Sequence, residues 1–66
     1  MIRKAYAQAD IVKGTGDIRI FKCEDEAVIV NMKMDTINGY SNDRIVELCA
    51  KLANQRKMEL LCYQFS

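Results

Sequence analysis

The stretch that decides the fold is Asp17–Met34, DIRIFKCEDEAVIVNMKM. Ile18 and Ile20 alternate with Arg19 and Phe21. After an acidic break at Glu24, Asp25 and Glu26, Val28, Val30 and Met32 alternate with Ile29, Asn31 and Lys33. Side chains of a strand point to opposite faces in turn, so this alternation, rich in β-branched residues and interrupted by a short polar tip, predicts a β-hairpin. Ile18, Ile20, Val28, Val30 and Met32 are expected to share the buried face.

A two-stranded hairpin is marginal in water and needs further elements. On its N-terminal side, residues 3–12 (RKAYAQADIV) read either as a strand or, because of the alanines, as a helix. The strand-like end Ile11-Val12 and the lack of a capping residue favour strand. The following KGTGD, residues 13–17, reads as a turn. It matches no phosphate-binding glycine pattern, and no helix N-terminus follows it to hold an anion.

On the C-terminal side, Asn38-Gly39 marks another turn. A helix follows. Ser41 or Asn42 can cap it, and Asp43 lies where the helix dipole favours an anion. Arg56 and Lys57 are expected in its last turn. Ile45, Leu48, Cys49 and Leu52 form an apolar stripe, flanked by Val46, Ala50 and Ala53. The stripe loses phase at Gln55, Arg56 and Glu59. Residues 59–65, short, apolar and aromatic, therefore read as a final strand. The expectation is a single α+β domain over residues 1–66, a small antiparallel-rich sheet in the order β-β-β-α-β with one helix on one face.

Sixty-six residues with a net charge of +1 bury a modest core. Such domains are commonly reinforced by disulfides, a metal or a second subunit. Three widely spaced cysteines, Cys23, Cys49 and Cys62, do not make a disulfide framework. With no apolar leader and no run long enough to span a bilayer, the chain reads as cytoplasmic and not membrane-bound. Histidine is absent, which removes the commonest metal ligand and general base. No catalytic residue, metal site or cofactor is expected, and the acidic tip reads as a solvated turn.

The feature left over is apolar surplus. One helix covers one sheet face, and the other face is expected to show Phe21, Ala27, Ile29 and Tyr6. It would also carry either Leu61, Tyr63 and Phe65 or Leu60 and Cys62 from the last strand. Large bare apolar patches are uncommon on monomers. Phe21, Ile29, Leu61, Tyr63 and Phe65 are therefore the candidate interface with another copy or another protein. The simplest form is an antiparallel edge pairing across a two-fold axis. The function expected is that of a non-enzymatic adaptor, regulator or inhibitor whose partner is a second copy or another protein. Its size also suits an accessory protein of a virus or mobile element.

Two other classes remain open. Arg19, Phe21 and Lys22 place an aromatic between cations on one strand, as in sheets that stack RNA or single-stranded DNA bases, although the RNP pattern is missing. Cys23 could sense oxidants or ligands, but its acidic neighbours disfavour the thiolate. No stretch carries a motif specific to one family.

Overall fold

The computed structural model describes residues 5–66. Arg3 and Lys4, expected to begin the first strand, lie outside the described residues. Four strands follow the expected order: β1 (Ala5–Val12), β2 (Asp17–Lys22), β3 (Val28–Lys33) and, after the helix α1 (Asn42–Asn54), β4 (Met58–Phe65). They form one mixed sheet in the order β3-β2-β1-β4. The β1–β2 and β2–β3 pairs are antiparallel, and β4 joins β1 in parallel. Ala5–Val12 is thus a strand despite its alanines.

β3 and β4 occupy opposite edges, so the chain between them has to cross the sheet. α1 makes this crossing and covers one face. Against it stand Ala7, Ala9, Ile11, Ile18, Ile20 and Val30, all buried. The alanines of β1 lie on this face, where their small side chains let the helix come close.

α1 begins as its sequence foretells. The Arg44 amide donates to Ser41 Oγ at 3.3 Å, and Asp43 occupies the first turn. Its deepest line, however, is Ile45, Cys49 and Ala53. Leu48 and Leu52 are only half-buried. Ala53 is therefore central where it was expected to flank. The helix ends at Asn54, so Lys51 is the basic residue of its last turn. Arg56 lies beyond it and donates from Nη1 to the Leu52 carbonyl at 3.0 Å, which satisfies a terminal acceptor. Lys57 turns the chain into β4 with φ 60°.

The Asn-Gly segment forms a short 3-10 helix, Asp35–Gly39, rather than an isolated turn. Its Ile37 is fully buried and completes the core. Gly16 secures the same end. Its amide donates to the Val12 carbonyl at 2.8 Å, and its carbonyl accepts from the Met34 amide at 2.8 Å. With φ at +80°, a Cβ there would lie 2.4 Å from the Met34 carbonyl oxygen. The glycine-rich turn is thus a packing joint.

Two ladder slips alter the expected faces. In the β2–β3 ladder, Ile20 pairs with Val30 but Phe21 pairs with Val28, leaving Ile29 as the extra residue. Val28 consequently joins Phe21 on the face away from the helix, contrary to the uninterrupted alternation expected. Ile29 packs against the core. In the β1–β4 ladder, Ala7 pairs with Leu60 and Gln8 with Cys62, leaving Leu61 as the extra residue.

Candidate interaction surface

Residues paired across a ladder share a face, so the two faces can be read from the register. The open face carries Tyr6, Gln8, Asp10 and Val12 of β1 with Asp17, Arg19 and Phe21 of β2. β3 adds Val28, Asn31 and Lys33, and β4 adds Glu59, Cys62 and Gln64. No described helix covers this face.

Its most apolar part is one transverse row. Val28 faces Phe21, Phe21 faces Gln8, and Gln8 faces Cys62, with Leu61 beside it. A bulge puts two residues opposite one, bends its strand and sharpens the local twist. Both bulges fall in this row. Next to it lies a hollow of about 350 Å³ lined by Gln8, Phe21, Lys22, Cys23 and Glu26. The hairpin tip closes one end of the hollow. There the Glu26 amide donates to the Lys22 carbonyl at 2.8 Å, and the Ala27 amide to Asp25 Oδ1 at 3.1 Å.

Lower on the open face the surface turns polar. Asp10 stands opposite Arg19 on one side and Gln64 on the other. Its Oδ1 is shielded from solvent and accepts no hydrogen bond. Thr15 Oγ1 donates to Asp17 Oδ2 at 2.7 Å.

The five expected interface residues are divided among these places. Phe21 is half-buried on the open face and Ile29 faces the core. Leu61 is the bulge residue and is 62% exposed. Tyr63 and Phe65 pair with Ala9 and Ile11 and so belong to the helix side. They touch edge to face, with centroids 5.8 Å apart, as residues two apart on one strand face can. Phe65 packs against the core, whereas Tyr63 stays 53% exposed. Of the three residues considered for nucleic acid, Arg19 and Phe21 share the open face. Lys22 pairs with Ala7 on the other, though its chain reaches the hollow.

What gathers exposed apolar side chains is β4 itself. Among the described residues no strand pairs with its outer edge. It is eight residues long and holds no lysine, arginine, proline or glycine. Lysine and proline are two of the devices by which edge strands prevent pairing with another chain; β4 keeps two others, the charged Glu59 and the bulge at Leu61. β3, the other edge, is six residues long and carries Lys33. The sequence contained this signal in its charge pattern, but only the strand order shows that β4 is an edge.

A second hollow, about 480 Å³, lies along α1 between Met34, Tyr40, Arg44, Glu47, Leu48 and Lys51. Arg44 stacks over the Tyr40 ring at 5.6 Å. All three cysteines are free thiols: Cys62 is exposed, Cys23 half-buried and Cys49 buried. Burial pushes the Cys49 thiol up to about 11, which removes it as a nucleophile near neutrality. Among the described residues no His, Cys, Asp and Glu group could hold a metal ion. No described helix is long and apolar enough to cross a membrane.

No protein-family model matches this chain, and neither a curated protein nor a solved structure matches it.

Proposed function

We propose that this protein is a non-enzymatic interaction module, an adaptor, regulator or inhibitor, that works as a homodimer. The observation that carries the reading is the unpaired edge of β4 with its exposed apolar side chains. Its backbone edge has no pairing strand among the described residues, and Leu61 and Tyr63 stand 62% and 53% exposed on it. Pairing with another strand would satisfy the backbone groups and cover these side chains in one step. The absence of histidine and the raised pKa of the buried Cys49 both weigh against catalysis. We take the protein to be cytoplasmic, which its free thiols support.

Binding of RNA or single-stranded DNA is the competing reading. Tyr6 and Phe21 on the two central strands favour it, since bases stack on such aromatics. The charges on the same face weigh against it. Among the described residues of this face Arg19 and Lys33 are matched by Asp10 and Asp17, so they give phosphates no excess of positive charge to bind.

Light scattering of the eluting protein, together with its 260/280 nm absorbance ratio, separates the two. A nucleic-acid-free species whose mass rises from one chain to two with concentration is the expected result. A monomer at all concentrations overturns the homodimer. A raised 260 nm signal that disappears in Phe21→Ala would move the assignment to nucleic acid.

A further inference from the structure

The bulge in β4 does more than re-aim one side chain. Without it, faces alternate regularly along a strand, and a two-fold axis between two neighbouring residues would set every covered-face residue against an open-face one. The slip at Leu61 changes this. Met58 and Leu60 lie on the helix side with Glu59 between them on the open side. Beyond the slip, Tyr63 and Phe65 lie on the helix side with Gln64 between them on the open side. The faces of Met58–Leu60 and of Tyr63–Phe65 therefore mirror each other about a point between Leu61 and Cys62.

We propose that β4 pairs antiparallel with β4 of a second copy about a two-fold axis through that point. This inference rests on the homodimer reading above and specifies its edge and register. The axis stands perpendicular to the sheet, so antiparallel pairing keeps both helices on one face of a continuous eight-stranded sheet. Met58 then meets Phe65 of the partner subunit, and Leu60 meets the partner's Tyr63, on the helix side. Glu59 meets the partner's Gln64 on the open side. Every apolar residue meets an apolar one, and no like charges oppose each other. A shift by one residue sets covered positions against open ones along the flanks.

The second copy suits this edge better than an arbitrary strand because the matching extends over the whole length of β4. The exposed Tyr63 gains Leu60 of the partner subunit as a neighbour across the axis. The two copies of Cys62 lie on either side of the axis. Strand spacing of about 4.8 Å and a rise of about 3.3 Å set their Cα atoms about 6 Å apart, within disulfide reach.

The test uses the full chain in three steps. Sedimentation equilibrium of the wild type measures self-association. Leu61→Lys then places a charge on the edge at a position 62% exposed, which leaves the monomer fold intact by far-UV circular dichroism. Self-association is expected to weaken at least tenfold. Finally, Cys23→Ser leaves Cys62 as the exposed thiol, and half an equivalent of dipyridyl disulfide per Cys62 is added. One Cys62 forms a mixed disulfide, releasing one thiopyridone. The partner's Cys62 then displaces the second, so that two thiols are oxidised and one oxidant is reduced to two thiopyridones. The Cys62–Cys62 linked dimer should form at least tenfold faster than in the same protein carrying Leu61→Lys.

A dimer insensitive to Leu61→Lys overturns the β4 interface but leaves the homodimer standing. A dimer that dissociates in Leu61→Lys yet does not link through Cys62 overturns the register. A wild type that stays monomeric overturns both.

Discussion

Gln8 stands opposite Phe21 in the β1–β2 ladder, and each is also the residue at which the next ladder slips. The β1–β4 register shifts between Ala7 and Gln8, and the β2–β3 register between Ile20 and Phe21. The two bulges thus share one row across all four strands. The row carries Val28, Phe21 and Cys62 on the open face and ends at the exposed Leu61.

Phe21 lies on this row but away from the β4 edge. Phe21→Ala should lower stability by about 1–2 kcal/mol, less than truncation of a fully buried ring, because its side chain is only half-buried. Self-association should change by less than twofold. Urea unfolding and sedimentation on the same variant check both, and a strong loss of association would move the interface onto the open face.

The two glycines of the first turn should respond differently to a methyl group. Gly16→Ala sets a Cβ 2.4 Å from the Met34 carbonyl at a φ of +80°. A loss of about 3 kcal/mol or more, or failure to fold, is expected. Gly14 has nothing within 4 Å, so Gly14→Ala should stay within about 0.5 kcal/mol of the wild type or gain slightly through the unfolded chain. Thermal midpoints of the pair measure the contrast.

Lys57 closes the connection from α1 to β4 with φ 60°. A left-handed residue with a Cβ costs about 1–2 kcal/mol, and glycine avoids this at some entropic expense. Lys57→Gly should therefore stabilise the protein by about 0.5–1 kcal/mol in urea unfolding. A loss of stability would mean that the lysine side chain makes a compensating contact.

Cys49 supplies an alkaline limit. Its pKa rises from 9.0 to about 11 in the fold through burial. Below pH 9 the thiol is protonated both folded and unfolded. Above pH 9 the unfolded chain ionises first, so this group's contribution falls with rising pH by about 1.4 kcal/mol per unit until the folded pKa is reached. The stability difference between wild type and Cys49→Ala, followed by urea unfolding from pH 8 to 11, should shrink accordingly. In the folded state at pH 8, alkylation followed by mass spectrometry should modify Cys62 first, Cys23 next and Cys49 last, in order of exposure.

Much of the architecture could be read from local chemistry. Ser41 caps α1 because its hydroxyl suits a free amide. The isoleucines of Asp17–Lys22 announce a strand by their spacing. The phase break at Gln55 announces the end of the helix. These signals act within a few residues and need no partner. The slips at Ile29 and Leu61 have no such local mark, because a bulge is defined by the register of the neighbouring strand. They moved Val28 to the open face and Tyr63 and Phe65 to the helix side, and so rearranged the candidate interface. Ile37 became core only because the chain returns over the end of the sheet, and Gly16 became indispensable only because Met34 comes to lie against it. The sequence by itself determined the hairpin, the helix and the last strand, since propensity and periodicity are local, but it left residues 3–12 open between strand and helix until pairing with β2 and β4 made Ala5–Val12 a strand. The tertiary structure decided which strands are the edges and which side chains they expose, since both depend on pairing between segments far apart in the chain.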